Sequence, residues 1–318
     1  MPPYLIFSVN HSNIDAQTCK GGEAMLSYEH CTLCPRRCGV DRTKGGRGFC
    51  GMPDKLYAAR AGAHYWEEPV ISGSFGSGAI FFSGCTLRCA FCQNYTISDE
   101  NFGRELTPQA LRAAMERLID EGVQNINLVT PTHFLPSILP ALEPKLPVPV
   151  VYNCGGYESV ETLRRLEGKI DVYLPDFKYS DNALAKRLSA APDYYETAAA
   201  AILEMYRQVG RPVIEDEQMT RGVLLRHLVL PGFVDNSLGV LDWIAAHFRS
   251  GDILVSLMSQ YVPMGKAKAM PPLDRRITET EYDAVLSYME LLGIEDGFTQ
   301  DFSAATSDYT PEFDLTGL

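Results

Sequence analysis

From residue 76 onward the chain alternates short apolar runs with helical periods six times, an order few folds accept. The runs GAIFFSG (78–84), VQNINLVT (123–130), VPVVYNC (148–154), IDVYLPDFK (170–178), GVLLRHLVLPG (222–232) and DILVSLMSQYV (252–262) are apolar on both faces and rich in β-branched residues. Parallel strands covered on both sides have that composition. Helical patterns separate them, the clearest being LTPQALRAAMERLIDEG. It has Thr107 as N-cap, Pro108 at the first helical position, an apolar stripe of Leu111, Met115, Leu118 and Ile119, and Gly122 as its stop. Further helices are expected near 134–143, 158–168, 181–209, 236–249 and 278–292. Six βα units specify either a doubly wound sheet or a (β/α) barrel, complete or partial. Both bind ligands at the carboxyl ends of the strands.

Polar residues fall at those ends: Cys85, Cys89 and Cys92 after the first strand, Thr130, Thr132 and His133 after the second, and Asn153 on the third. Asp176 and Lys178 close the fourth, Arg226 lies on the fifth and Gln260 near the end of the sixth. A single convergent site is expected. The opening MPPYLIFSVNHSN has no basic n-region, and no apolar run is long enough to span a bilayer; the expected compartment is the cytosol, with no membrane partner. Nine cysteines there, eight of them before residue 93, point to metal rather than a disulfide framework. The formal charge is −12, and from Ile277 onward the chain has acids but no Lys or Arg. That stretch reads as a solvated helix face and polar tail, and the overall balance argues against non-specific nucleic-acid binding.

Three thiols within FFSGCTLRCAFCQN (81–94) are one fewer than a closed zinc site takes and one more than a thioredoxin-like motif needs. They suit a [4Fe-4S] cluster whose fourth iron stays open, the alternatives being a zinc knuckle or core thiols. The C-x3-C-x2-C spacing, its place after the first strand, and Phe91 before the last cysteine resemble the radical S-adenosylmethionine superfamily. GCTLRCAFCQN is similar to the branch typified by pyruvate formate-lyase activating enzyme. In that branch strand three ends in an Asp-Thr-Asn-Gly-like turn and strand four in Asp-Leu-Lys; here YNCGGY (152–157) and LPDFKY (174–179) match. CPRRCG, VTPTH, VYNCGGYE and RGVLLRHLVLPG look most like a bacterial and archaeal subgroup without an established substrate.

The resemblance implies a partial (β/α)6 TIM-like barrel, with Cys85, Cys89 and Cys92 as cluster ligands and Phe91 beside the cofactor. It implies that Lys178 pairs with the carboxylate of S-adenosylmethionine, that Asp176 sits beside it and shares a monovalent cation with Asn153, and that Arg226 and its strand help hold the nucleoside. It further implies reductive cleavage of S-adenosylmethionine to a 5′-deoxyadenosyl radical that abstracts hydrogen. An external donor of flavodoxin or ferredoxin type supplies the electron, and a glycyl-radical enzyme or another protein substrate is the implied partner. Where many members end strand two in Gly-Gly-Glu, this chain has Val129-Thr130-Pro131-Thr132-His133; Thr130 and Thr132 are the substitute acceptors for the methionyl amine. His133 reads either as a substrate-facing acid or base or as a structural residue, and His227 as a core histidine.

A second group, Cys31, Cys34, Cys38 and Cys50, is spaced C-x2-C-x3-C-x11-C among glycines, with Arg36, Arg37, Arg42, Lys44 and Arg47 against a single Asp41. Four thiolates and nearby cations suit zinc or a second iron–sulfur cluster, the latter opening an electron relay; buried thiols are the alternative. Cys154 reads as core, and Cys19 carries no motif. The expected organisation is a Cys-rich metal-binding segment (1–74), a barrel (75–265) and a C-terminal helix with an acidic tail (266–318). Three functions fit: an activating enzyme acting on a partner protein, a radical enzyme acting on a small molecule or peptide, and a non-catalytic electron carrier. The set Asn153, Asp176, Lys178 and Arg226 argues against the carrier, which needs no nucleoside pocket.

Overall fold

Ten strands appear in the computed structural model, which describes residues 26–302 and 310–318; the opening segment with His11 and Cys19, and Asp308 in the acidic tail, lie outside the described residues. They are β1 (Leu56–His64), β2 (Ser77–Phe82), β3 (Arg104–Leu106), β4 (Ile126–Val129), β5 (Val150–Cys154), β6 (Val172–Pro175), β7 (Val213–Glu215), β8 (Gln218–Leu228), β9 (Leu254–Met258) and β10 (Gly297–Thr299). Their order is β10-β9-β8-β6-β5-β4-β2-β1-β3, with β7 hairpinned onto β8. Along that order every pairing from β2 to β10 is parallel, whereas β1 runs antiparallel to both β2 and β3 and β7 antiparallel to β8. The six expected strands are β2, β4, β5, β6, β8 and β9, and they form a partial barrel.

Period-two alternation divides each strand between two cores. Val151, Val172, Leu174 and Leu224 face inward with Met219, while Ile80, Leu128, Tyr152, Tyr173, Leu225, Val255 and Leu257 face the helices. The helices are α1 (Pro69–Ser72), α2 (Tyr95–Ser98), α3 (Pro108–Asp120), α4 (Leu135–Ile138), α5 (Val160–Arg164), α6 (Asn182–Ser189), α7 (Tyr194–Val209), α8 (Val234–His247) and α9 (Glu279–Leu291). In α3 the expected cap forms: Thr107 Oγ1 accepts from Ala110 N at 3.1 Å, and Leu111, Met115 and Leu118 are buried. Val70 and Ile71 of α1 pack with the inward strand residues and plug the barrel. No helix among the described residues is long and apolar enough to cross a membrane.

Within the stretch 1–74, β1 is an integral sheet strand and α1 fills the barrel. LYAARAGAH is alanine-rich and contains no β-branched residue, so it carries no strand signature of its own; pairing with β2 and β3 makes it one. At the other end β10 extends the sheet beyond β9, and residues 310–318 lie along β1 rather than trailing into solvent. Leu315 N donates to Ala59 O at 3.0 Å and Ala61 N to Thr316 O at 2.9 Å.

A capping box starts α9. Thr278 Oγ1 accepts from Glu281 N at 3.2 Å, and Glu281 accepts from Thr278 N at 2.8 Å, Gly232 N at 2.7 Å and Arg275 Nη2 at 2.7 Å. The Arg275 hydrogen bond and these N–H donors hold the Glu281 carboxyl down at about 2 despite partial burial. A folded pKa below the unfolded one gives stability that is present above the ordinary Glu range and lost as pH falls toward about 2. Glu281→Gln is therefore expected to cost about 1 kcal/mol near neutrality, the usual worth of a cap. Thermal unfolding at stepped pH should show that difference shrinking below pH ~4.5; a difference independent of pH would contradict the assignment.

Candidate active site

Parallel register gathers the strand ends. Phe81 aligns with Val129, Val129 with Asn153 and Asn153 with Leu174, while Asp176 bridges Arg226 and Arg226 aligns with Ser256. At this mouth a cavity of ≈ 210 Å³ is lined by Cys85, Cys89, Phe91 and Cys92 from the β2 loop, with Thr130, Asn153, Asp176, Lys178, Arg226 and Gln260. Its rim includes His64, Trp66, Thr310 and Pro311.

Each of the three loop sulfurs accepts a hydrogen bond from the protein: Cys85 from Leu87 N at 3.4 Å, Cys89 from Ser189 Oγ at 2.9 Å and Cys92 from Ser98 Oγ at 3.2 Å. Burial and then the Cys89 thiolate push the Cys85 thiol up; burial with both neighbours pushes Cys92 up to about 12. Thiolates crowded in this way favour a shared cation, and the donor set fits an iron–sulfur cluster held by three cysteines. The eight described cysteines are all free. Arg88, within the loop, holds a left-handed φ of 52°. Gly84 before it is left-handed too, and a Cβ there would lie 2.5 Å from Met52 Cγ and 2.6 Å from Cys50 O, so only glycine lets the Cys-rich segment approach.

An ionic row forms the facing wall. Arg226 donates from Nε to Asp176 Oδ1 at 2.9 Å, from Nη1 to Glu67 Oε2 at 2.8 Å and from Nη2 to Asn153 Oδ1 at 2.7 Å. Glu67 Oε1 also accepts from Asn127 Nδ2 and Asn153 Nδ2, each at 3.1 Å. Lys178 Nζ meets Asp176 Oδ2 at 2.5 Å. Burial works against the Asp176 carboxylate, but Arg226 and Lys178 together outweigh it and bring its pKa below the usual value. Burial likewise disfavours the Lys178 ammonium, and Asp176 and Cys89 more than offset it, so Lys178 stays charged.

The expected residues do not all gather here. Thr132 is buried away from the cavity, donating to Glu158 Oε1 at 2.8 Å and accepting from Tyr152 OH at 3.0 Å. Its neighbour Thr130 does line the cavity, on a left-handed φ of 59° that a threonine seldom adopts, with its N–H on Asn153 O at 2.8 Å. His133 is fully packed: Nε2 donates to Ser83 O at 2.7 Å, and burial lowers its pKa to about 3. It is not among the residues lining the cavity, and it bonds the backbone just before the cysteine loop. His227 is a satisfied core histidine, between Phe177 O at 2.6 Å and Ser237 Oγ at 2.8 Å.

Glu67 carried no sequence signal as a site residue, and Asn127 was passed over. Glu67 lies in an irregular stretch between β1 and α1, and only the plug helix brings it to Arg226. Asn127 was legible in principle, because it alternates with Val129 on the inner face of β4.

Residues 79–244, just over half of the chain, match the Radical SAM superfamily. The chain is 32% identical over 279 residues to the uncharacterized protein MJ0674 of Methanocaldococcus jannaschii, covering 84% of this chain and 76% of that one. Among solved structures, SuiB of Streptococcus suis aligns with a TM-score of 0.45 at 14% identity, over 70% of this chain and 49% of that one. Methylornithine synthase (PylB) aligns with a TM-score of 0.45 at 16% identity, over 65% and 59%. The chain thus spans about half the length of SuiB and three-fifths of that of PylB. Cys85, Cys89 and Cys92, with the whole ionic row except Glu67, fall inside the matched span, and the chain belongs to the radical SAM superfamily.

Proposed function

We propose that the protein is an activating-type radical enzyme that abstracts hydrogen from a partner protein, as a glycyl-radical activase does. The carrying observation is that the three loop thiols and the Lys178–Asp176–Arg226 row line one cavity at the strand ends. In this reading Cys85, Cys89 and Cys92 hold a [4Fe-4S] cluster and leave one iron for an outside ligand. When bound, the cluster and S-adenosylmethionine supply one-electron cleavage of the sulfonium and a primary carbon radical.

The chain's own residues position and shield. Lys178 has one ammonium proton on Asp176 and lines the cavity with the rest of its head group, so it takes the cofactor carboxylate. Three of the five N–H donors of Arg226 are committed to Asp176, Glu67 and Asn153, so it fixes Asp176 and Asn153 at the cavity wall. Thr130, at the strand end where many relatives carry Gly-Gly-Glu, offers its hydroxyl and carbonyl to the amine. Phe91, packed between Tyr179 and Tyr261, closes the inner side against water. A flavodoxin- or ferredoxin-type donor supplies the electron. Modification of a small molecule or peptide is the second reading, favoured by Trp66, Thr310 and Pro311 crowding the rim.

Protein reconstituted anaerobically with iron and sulfide, reduced with dithionite and given S-adenosylmethionine, is expected to form 5′-deoxyadenosine. No product from a reduced, cluster-loaded protein would overturn the proposal. With product formed, a carbon-centred radical doublet on an added glycyl-radical enzyme supports the activase role. Its absence shifts the assignment to the smaller substrate.

A further inference from the structure

We propose that Cys31, Cys34, Cys38 and Cys50 form a second, tetrathiolate metal centre that braces the loop carrying Cys85. It stands on observations independent of the cavity. Residues 26–55 contain no helix or strand, yet Cys31, Cys34 and Cys50 are buried within them. Apolar burial alone rarely orders so short an irregular segment, and a metal commonly does. Its turns are closed by Cys31 N to Val40 O, Gly39 N to Cys31 O and Arg37 N to Cys34 O, each at 3.0 Å. Gly48 packs between two of the sulfurs: a Cβ there would lie 2.8 Å from Cys38 Sγ and 3.8 Å from Cys50 Sγ.

Arg42 is the second observation. Its side chain is fully buried, and among the described residues no carboxylate pairs with it. Nε and Nη2 donate to Pro53 O, Nη1 donates to His133 O at 2.6 Å, and the guanidinium lies over the Tyr28 ring. Nη1 also stands 3.9 Å from Cys31 Sγ. A buried cation without a counter-charge is expensive. Four thiolates around a divalent ion carry an excess of about two negative charges, and a four-cysteine iron–sulfur cluster is also anionic. Either centre supplies the missing partner. The described sulfurs do not already surround a common point, so loading would turn them inward and release their protons.

The centre would sit where it acts on the catalytic loop. Arg36, between Cys34 and Cys38, donates from Nε to Thr86 O at 2.9 Å and from Nη2 to Ser189 O at 2.8 Å. Ser189 Oγ in turn donates to Cys89 Sγ, and the Cys50 carbonyl abuts Gly84.

The test uses the full chain with Cys85, Cys89 and Cys92 all changed to Ala, which removes the barrel cluster and leaves the second group alone. After dialysis, elemental analysis is expected to find about one zinc per chain. Cobalt in its place should give the intense visible bands of a tetrahedral thiolate complex. Iron with sulfide would support the same tetrathiolate site and identify it as a cluster. A folded triple variant that retains no metal would overturn the proposal, whatever the wild-type protein does with S-adenosylmethionine. Adding Arg42→Met is expected to speed metal loss to a chelator at least about tenfold; an unchanged rate would overturn the charge-balance argument.

Discussion

Alanine at Cys85, Cys89 or Cys92 is expected to reduce 5′-deoxyadenosine formation to background, each substitution being as severe as all three together. The reason is stoichiometric. A cluster held by three cysteines has one open iron, which is where the cofactor binds; losing one of the three protein ligands opens a second iron and leaves the cluster under-held and oxygen-labile. Residues that act as a unit do not contribute additively. One other thiol lines the cavity, Cys154, but it belongs to a strand fixed in the sheet, and burial with Glu158 beside it pushes its pKa well above the ordinary value. It should not substitute, and Cys154→Ala should keep both cluster and activity. Ser98→Ala and Ser189→Ala give the graded control, because each deletes one hydrogen bond to a sulfur without deleting the sulfur. They are expected to retain iron and product while shifting the reduction potential. The measurement is iron, sulfide and product on the same reconstituted samples. A Cys89→Ala protein that cleaves at the wild-type rate would remove the basis of the proposed chemistry.

What could be read from the chain, and what could not, follows the range over which each feature is determined. The β2 loop cysteines, Asn153, Asp176, Lys178 and Arg226 could be placed together, because parallel strands with buried faces have recognisable runs and their carboxyl ends share one mouth. β1 could not be placed, since an alanine-rich strand is made by its neighbours. With β1 unplaced, the segment after it looked like appendage, and Glu67 went unseen. Thr130 and Thr132 looked equivalent in sequence; the left-handed turn at Thr130 separates them, turning one into the cavity and the next into the packing around Glu158. His133 read equally as an acid or base and as a structural residue, and what the sequence lacked is its partner, the Ser83 carbonyl.

Arg226→Met is expected to cost about 3–5 kcal/mol of stability, the usual result of removing one partner from a buried ionic group. The side chains of Arg226, Glu67 and Asp176 are only 14%, 9% and 16% exposed, so water replaces little of what the guanidinium provides. Lys178 still neutralises Asp176 in the variant, and Glu67 is left with two amide donors and no cation. Adding Glu67→Gln should therefore recover part of the loss, and a double-mutant cycle by urea unfolding measures how much. The pH dependence supplies a separate check. With Arg226 present the Asp176 pKa lies below its unfolded value, so its contribution is present above that value and lost as pH falls through the lower, folded one. Removing Arg226 raises the folded pKa, and the acid-side loss of stability should begin at higher pH. A variant that loses less than about 1 kcal/mol, with an unmoved acid limb, would mean that the row behaves like a surface ion pair. The barrel mouth would then be wet enough to solvate its charges without Arg226, and Asp176 and Asn153 would owe their positions to the strand register alone.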